Sequence, residues 1–460
     1  MFRNWSMTLL SGLVAVAVLG AGPIAQQPPA SQQPPTSQQP TDITTTITSE
    51  GGSIPRLAIP DFIAIGTEAD VAAAAKTLGQ VLWDDLNFEH EFAFSPRDTY
   101  ASIPRATSFA DVPFDRWREL NADGLVIGTV QKAGAGVHVE LRLFNARTRQ
   151  SAYSRQYDGT NARRIAHTIS DELHASQRAL KGVARSKLTF DSDRDGERMI
   201  GTVEKRDTKE VYISDYDGDG QTRVTLGRTL NVFPRWSPDG KSIAYTSFRR
   251  GGANIFISHI YQGTLEELTQ GKDESWLAAW SPDGARLCFA SSRDGNGNSS
   301  LYIVNRDGTG IRRLTNHPSI NISPTWSPSG TQIAFTSDRT GAPQIYVMSA
   351  DGLGQQTRIT IGETYADKPT WSPAPYNEIA YTSGAGVNDI KVIDMATREV
   401  RQLTFGEGKN ESPVFSPNGR HIAFTSTRSG KKQIYTIART GKDVKQITRT
   451  GNNEHPDWSR

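Results

Sequence analysis

One pentapeptide constrains this chain more than any other feature. Trp-Ser-Pro-Asp-Gly stands at Trp236–Gly240 and again at Trp280–Gly284. Relaxed copies follow at Trp326–Gly330, Trp371–Pro373 and Phe415–Gly419, and Trp458-Ser459 comes just before the last residue. The aromatic residues are separated by steps of 44, 46, 45, 44 and 43. So constant a period marks a repeat architecture, in which each unit buries its apolar face only by stacking on the next.

From Met199 onward no helical periodicity is present, and each repeat reads as four short strands. The first carries the aromatic residue, as in Phe233–Trp236. The second is an alternating run such as Ile243–Ser247, Ile333–Ser337 or Ile422–Ser426. The third is β-branched and aromatic, as in Gln344–Met348, and the fourth ends in Leu-Thr at Leu268-Thr269, Leu314-Thr315 and Leu403-Thr404. Four strands in about 45 residues make the blade of a β-propeller. Ser-Pro-Asp-Gly joins the first two strands as a tight turn: Pro sets φ, Asp bonds the backbone and Gly accepts φ > 0. The aromatic ring then fills the wedge between adjacent sheets, worth at most ~5 kcal/mol for roughly 200 Å² at ~25 cal/mol/Å². The repeat is a structural device and assigns no function.

The predicted closure of the ring pairs the terminal Pro456–Ser459 strand with Met199–Val203, because Ile200 to Tyr212 spans 12 residues, as does Ile333 to Ile345.

At 460 residues the chain is expected to hold two or more domains. A net charge of +2 gives no reason to expect nucleic-acid binding. Arg3 precedes an apolar run from Leu9 to Gly22, which reads as a secretory signal over 1–25. An uncharged Pro/Gln tether covers 26–42. Cys288, the one cysteine, sits in an apolar run and reads as a core residue, so no internal disulfide is expected.

Residues 43–185 mix strands and helices and are expected to form a small α/β domain, with the six-bladed propeller following over 186–460. Thr67-Glu-Ala-Asp70 has the form of a capping box opening a helix with Val71, Ala75, Leu78, Leu82 and Leu86 on one face. Strands are predicted at Arg56–Pro60, Gly124–Val130, Val137–Phe144 and Ala152–Tyr157, and a second helix from Ala162 to about Leu180.

Few residues point to chemistry. Asp191–Gly196 and Asp215–Gly220 have the Asp spacing of calcium loops, but Thr202 and Leu226 stand where an EF-hand needs its bidentate Glu. The second stretch reads as a hairpin turn, and calcium stays open for the first. The histidines form no metal motif, no Gly-x-Ser-x-Gly elbow occurs, and no catalytic residue, metal or cofactor is predicted.

The order of parts (export signal, tether, small α/β domain, WSPDG repeats) resembles the TolB family of Gram-negative Tol–Pal systems. Its most specific part here is Glu210–Gly218 followed by Phe233–Gly240. The resemblance implies a monomeric periplasmic protein without enzymatic activity. Its propeller would bind the peptidoglycan-associated lipoprotein Pal. An N-terminal arm, mapping onto Ile43–Thr48 with Ile43, Thr44 and Ile47, would engage inner-membrane TolA. It also implies a role in outer-membrane integrity, constriction at division and protein import. The tether before that arm departs from the family pattern. An exported propeller that binds another peptide or a glycan is the alternative, and a propeller hydrolase or lyase is a further one.

A partner surface is expected on the propeller face opposite the Ser-Pro-Asp-Gly turns. Loops between second and third strands are basic, with Arg249, Arg293, Arg339 and Arg428. Just before the innermost strands stand acids: Glu274, Asp367, Glu411 and Glu454. Ordinary solvated loop charge is the competing reading.

Overall fold

The computed structural model describes residues 45–49, 53–198, 208–271, 273–295, 297–384 and 386–459. The predicted signal and tether, Ile43, Thr44 and Met199–Val203 lie outside them. Among the described residues no helix is long and apolar enough to cross a membrane.

The N-terminal domain is one sheet with cover on both faces. Its elements are β1 (Arg56–Ala58), β2 (Ile63–Ile65), α1 (Ala69–Phe88), β3 (Ala93–Phe94), α2 (Phe114–Glu119), β4 (Gly124–Ala133), β5 (Gly136–Asn145), β6 (Ser151–Gly159) and α3 (Ala162–Arg178). The strand order is β3-β1-β4-β5-β6, with β2 also on β4. Alternation along β4 divides the core. Val126 and Val130 meet Val71, Leu78, Leu82, Ile165 and Ile169 of the two long helices, while Leu125 and Ile127 meet Ile103, Val112 and Trp117. All five residues predicted for the α1 stripe are buried. The predicted capping box does not form: Glu68 is the N-cap, without a side-chain bond, and Asp70 pairs with Lys132 instead. The cap of α3 is Asn161, whose side chain accepts from Arg164 N at 3.0 Å.

The propeller follows as six four-stranded sheets in succession. In the turn at Ser237–Gly240, Gly240 N donates to Ser237 O at 2.9 Å and Gly240 has φ 67°. The wedge expectation holds: Trp236, Trp280, Trp326, Trp371, Phe415 and Trp458 are all buried. Trp280 Nε1 donates to Arg235 O of the preceding blade at 3.2 Å, and Trp326 Nε1 to Ala279 O at 3.1 Å. Cys288 is fully buried, and burial pushes its thiol well above the ordinary range.

The ring closes across the termini, but not with the strand predicted. Asn453–Trp458 pairs antiparallel with β7 (Lys187–Ser192), in the register Trp458↔Leu188 and Glu454↔Asp191. The spacing rule failed for a physical reason. The connection from Ser192 to the third strand, which starts at Glu210, is much longer than its counterpart from Ser247 to Asn254. A match 12 residues before Tyr212 therefore fell past Ser192, where β7 ends. Arg235 Nη1 meets Asp457 at 3.2 Å across the seam.

The N-terminal domain is pinned to turns at one face of the ring. Asp85 of α1 takes His167 Nδ1 at 2.7 Å and the Tyr216 hydroxyl at 2.8 Å. Arg163 lies among Asp215, Asp217 and Asp219, and Glu89 accepts from Arg420 Nη2 at 2.7 Å. Burial drives the Glu89 carboxyl up to about 7, against Arg420. The Asp215–Gly220 stretch is thus a hairpin turn whose carboxylates meet an arginine. Tyr216–Gly218 and Asn418–Arg420 join third to fourth and first to second strands. Both kinds of turn lie at the same end of antiparallel strands, the Ser-Pro-Asp-Gly end. The innermost strands begin at the other end.

Candidate partner-binding site

The six innermost strands stand side by side around the central opening: Asn231–Trp236, Ser275–Trp280, Asn321–Trp326, Ala366–Trp371, Asn410–Phe415 and Asn453–Trp458. Each carries a register shift after its second residue. The third residue is left-handed in every case: Phe233 (φ 57°), Leu277 (55°), Ser323 (52°), Lys368 (53°), Ser412 (55°) and His455 (52°). Six non-glycine residues in this region, at one position of six repeats, form a built ring of β-bulges. Five of the six strands place Pro next, where the missing N–H costs no ladder bond. The freed N–H of the bulge residue reaches the preceding blade. Lys368 N donates to Thr336 Oγ1 at 3.3 Å, Ser412 N to Thr382 Oγ1 at 3.1 Å and His455 N to Thr425 Oγ1 at 3.2 Å. In the closing blade Asp191 replaces that threonine, accepting from Phe233 N at 3.4 Å.

The mouth formed by second and third residues is divided into two arcs. Three consecutive blades give Val232, Phe233, Trp276, Leu277 and Ile322, which are apolar, and Ser323, which donates to Asp367 Oδ1 at 3.4 Å where the arcs meet. The other three give Asp367, Lys368, Glu411, Glu454 and His455. Asp191 is fully buried and receives Lys209 Nζ at 3.0 Å and His455 Nδ1 at 2.6 Å. Burial works to raise the Asp191 carboxyl, yet His455 and Lys209 hold it below the ordinary carboxylate value. Glu454 is gripped by Lys209 and Lys432, and burial pulls the Lys432 ammonium down. Glu411 accepts from Asn388 Nδ2 at 2.6 Å and lies 3.7 Å from Lys368 Nζ. Ser412 Oγ is buried with no protein hydrogen-bond partner.

The structure brings Asp367, Glu411 and Glu454 together as second residues of adjacent innermost strands. Glu274 is not of that set. It is exposed and precedes its strand, where Trp276 holds the equivalent position. Nor are the acids free loop charges: Asp367 and Glu454 are each 8% exposed. Asp367 accepts from Thr336 Oγ1 at 2.8 Å and Tyr365 at 3.1 Å.

The arginines occupy the predicted loops but serve the blade. Arg339 lies 5.6 Å from the Phe335 ring and 4.5 Å from Tyr346, with Nε on Ser337 Oγ at 3.0 Å and Nη2 on Asn321 Oδ1 at 3.0 Å. Arg428 repeats this on Phe424, Tyr435, Ser426 and Asn410, and Arg293 on Phe289, Tyr302, Ser291 and Ser275. Arg249 lies over Phe256 at 5.4 Å and is exposed. Arg194, overlooked because it falls in the Asp191–Gly196 stretch, does the same for the closing blade. Of Ile43, Thr44 and Ile47 in the predicted arm only Ile47 is described: it is 3% exposed, and its N–H donates to Gln177 Oε1 at 2.9 Å.

Two family matches cover most of this architecture: the TolB amino-terminal domain over residues 23–152 and the TolB beta propeller domain over residues 179–459. The chain belongs to the TolB family. The Tol-Pal system protein TolB of Desulfosudis oleivorans is 32% identical over 264 residues, 56% of this chain and 57% of that protein. Its namesake from Anaeromyxobacter dehalogenans is 33% identical over 276 residues, 58% of this chain and 60% of that protein. The chain thus matches somewhat over half the length of these curated TolB relatives. The crystal structure of TolB from Acinetobacter baumannii shares the fold, with a TM-score of 0.74 at 24% identity, covering 88% of this chain and 97% of that one.

Proposed function

We propose that this TolB-family chain is a periplasmic, non-enzymatic scaffold of a Tol–Pal envelope system. In this reading its propeller mouth holds a Pal-like peptidoglycan-associated lipoprotein, and its N-terminal arm meets a TolA-like inner-membrane protein. The link between the two membranes would support outer-membrane integrity and constriction at division.

The observation that carries the reading is the two-arc mouth. It lies at the end of the ring away from the N-terminal domain, on innermost strands that are bulged identically in all six blades. An apolar arc supplies contact area, and a facing arc of paired charges supplies orientation. Strained residues on a rigid ring are where binding groups concentrate. Glu454 is already gripped by Lys209 and Lys432 and Asp367 is buried against Thr336 and Tyr365, so Glu411, the least buried of the three, is the acid best placed to meet a partner's cation. The arm, through Ile43, Thr44 and Ile47, can engage its partner only when Ile47 leaves its place against α3.

Titration calorimetry with the soluble domain of a Pal-like lipoprotein tests the reading. Glu411→Arg is expected to weaken binding about tenfold or more, ~1.4 kcal/mol, with an unchanged melting temperature. Raising the salt concentration is expected to weaken wild-type binding as well. Unchanged affinity in Glu411→Arg would remove the partner from this mouth.

A further inference from the structure

The sheet of the N-terminal domain has an unfilled strand position. β1 and β2 follow one another along the same side of β4: β1 pairs with Gly124 and Leu125, and β2 with Thr129–Gln131. The next row outward is occupied beside β1 by the two-residue β3. The chain then turns away into the 3-10 segment Arg97–Ser102, and among the described residues no strand pairs with the outer side of β2.

A groove of about 910 Å³ lies there. Its walls come from both layers of the domain: Phe62 and Ala75 from the α1 side, and Ile103, Trp117 and Ile127 from the opposite face. A groove that reaches both sides of a sheet is what an open edge between two cover layers produces. An added strand would send alternate side chains to the two walls, while its backbone met the unpaired groups of β2.

The rim decides what kind of strand fits. Lys76 and Arg105 are exposed and have no ion pair among the described residues. Arg97 is matched by Asp61 at 3.3 Å, and Asp61 is the single carboxylate of the lining. The surplus is positive. Lys76 on α1 and Arg105 across the groove also disfavour pairing with a second copy of the same edge, since the two positive rims would repel.

We propose that this groove docks an extended, acidic segment of a partner protein. The segment adds a strand beside β2, seats aliphatic side chains alternately against Phe62 and Trp117, and sets Asp or Glu against Lys76 and Arg105. This surface belongs to the N-terminal domain and is separate from the propeller mouth.

The test uses the full chain and two displayed octapeptide libraries. One alternates Val, Ile or Thr with Asp or Glu; the other replaces the acids by Lys or Arg. Acidic peptides are expected to enrich over basic ones, and the best of them, resynthesised, to slow hydrogen exchange at Ile63–Ile65. The variant Lys76→Glu/Arg105→Glu, altered only at exposed residues, is expected to melt like wild type and bind that peptide about tenfold or more weakly. Equal enrichment of the two libraries, protection confined to the propeller, or unchanged affinity in the double variant would each overturn the proposal.

Discussion

Removing one wedge ring measures how the propeller is held together. Trp326 is 4% exposed, donates its Nε1–H to Ala279 O at 3.1 Å and has the Arg286 guanidinium 5.2 Å from its ring. Truncation to Ala withdraws roughly 200 Å² of apolar burial, at most ~5 kcal/mol, and less once the compactness of the unfolded chain is counted. The lost cation–π contact adds ~0.5–1 kcal/mol, and the carbonyl of Ala279 loses its partner. The expected cost of Trp326→Ala is ~3–5 kcal/mol, within the range for large aromatic deletions. At a guanidinium slope of ~4 kcal/mol/M, that moves the unfolding midpoint down by about 1 M. Trp326→Phe keeps most of the ring and loses only the N–H, so it should cost ~1–2 kcal/mol. Equal midpoints for Trp326→Ala and wild type would show that the ring is not wedged between blades. Equal losses in the two variants would assign the stability to the hydrogen bond instead.

Deleting residues 454–460 strips β7 of its partner and uncovers Leu188 and Phe190, both fully buried. A large drop in melting temperature is expected, and a wild-type melt would contradict closure by this strand. Burial holds the His174 imidazole down to about 4 and that of His421 down to about 3, from an ordinary 6.5. The unfolded chain therefore binds protons that the folded one refuses, and stability from these groups, complete above pH 6.5, is lost as pH falls from there toward 4. Glu89, raised by burial to about 7 from 4.5, works the other way as pH falls from 7 to 4.5, and so does His167, which burial lowers but Asp85 holds above its ordinary value; His455, lowered by burial, adds to the loss from His174 and His421. Melts between pH 7.5 and 5 should fall, and His421→Gln should flatten the slope; an unaltered slope would refute the assignment.

The propeller was legible because its signal is local and repeated six times: a ring, a proline turn and an alternating strand recur at one period. The helical stripe of α1 was legible for the same reason. Errors arose where the repeat was irregular. The long connection after Ser192 hid the true closing strand and, with it, Arg194. At the second blade Trp276 takes the place held elsewhere by Asp367, Glu411 and Glu454, and the nearest acid, Glu274, stands two residues before it. The contacts of Asp191 with Lys209 and His455 join distant parts of the chain, and no spacing rule finds them. The left-handed ring leaves one trace in the sequence, the prolines at Pro234, Pro324, Pro369, Pro413 and Pro456, which mark the bulge without telling its hand.

The claim that the two-arc mouth is the partner site is tested most directly by site-specific photo-crosslinking. A photoreactive side chain at Lys368, inside the charged arc, and another at Asp239, in a turn on the opposite face, would each be presented to the soluble domain of a Pal-like lipoprotein. The account predicts a strong adduct from position 368 and none from 239, with the adduct at 368 suppressed by Glu411→Arg. An adduct from position 239 alone would place the partner on the other face and contradict it.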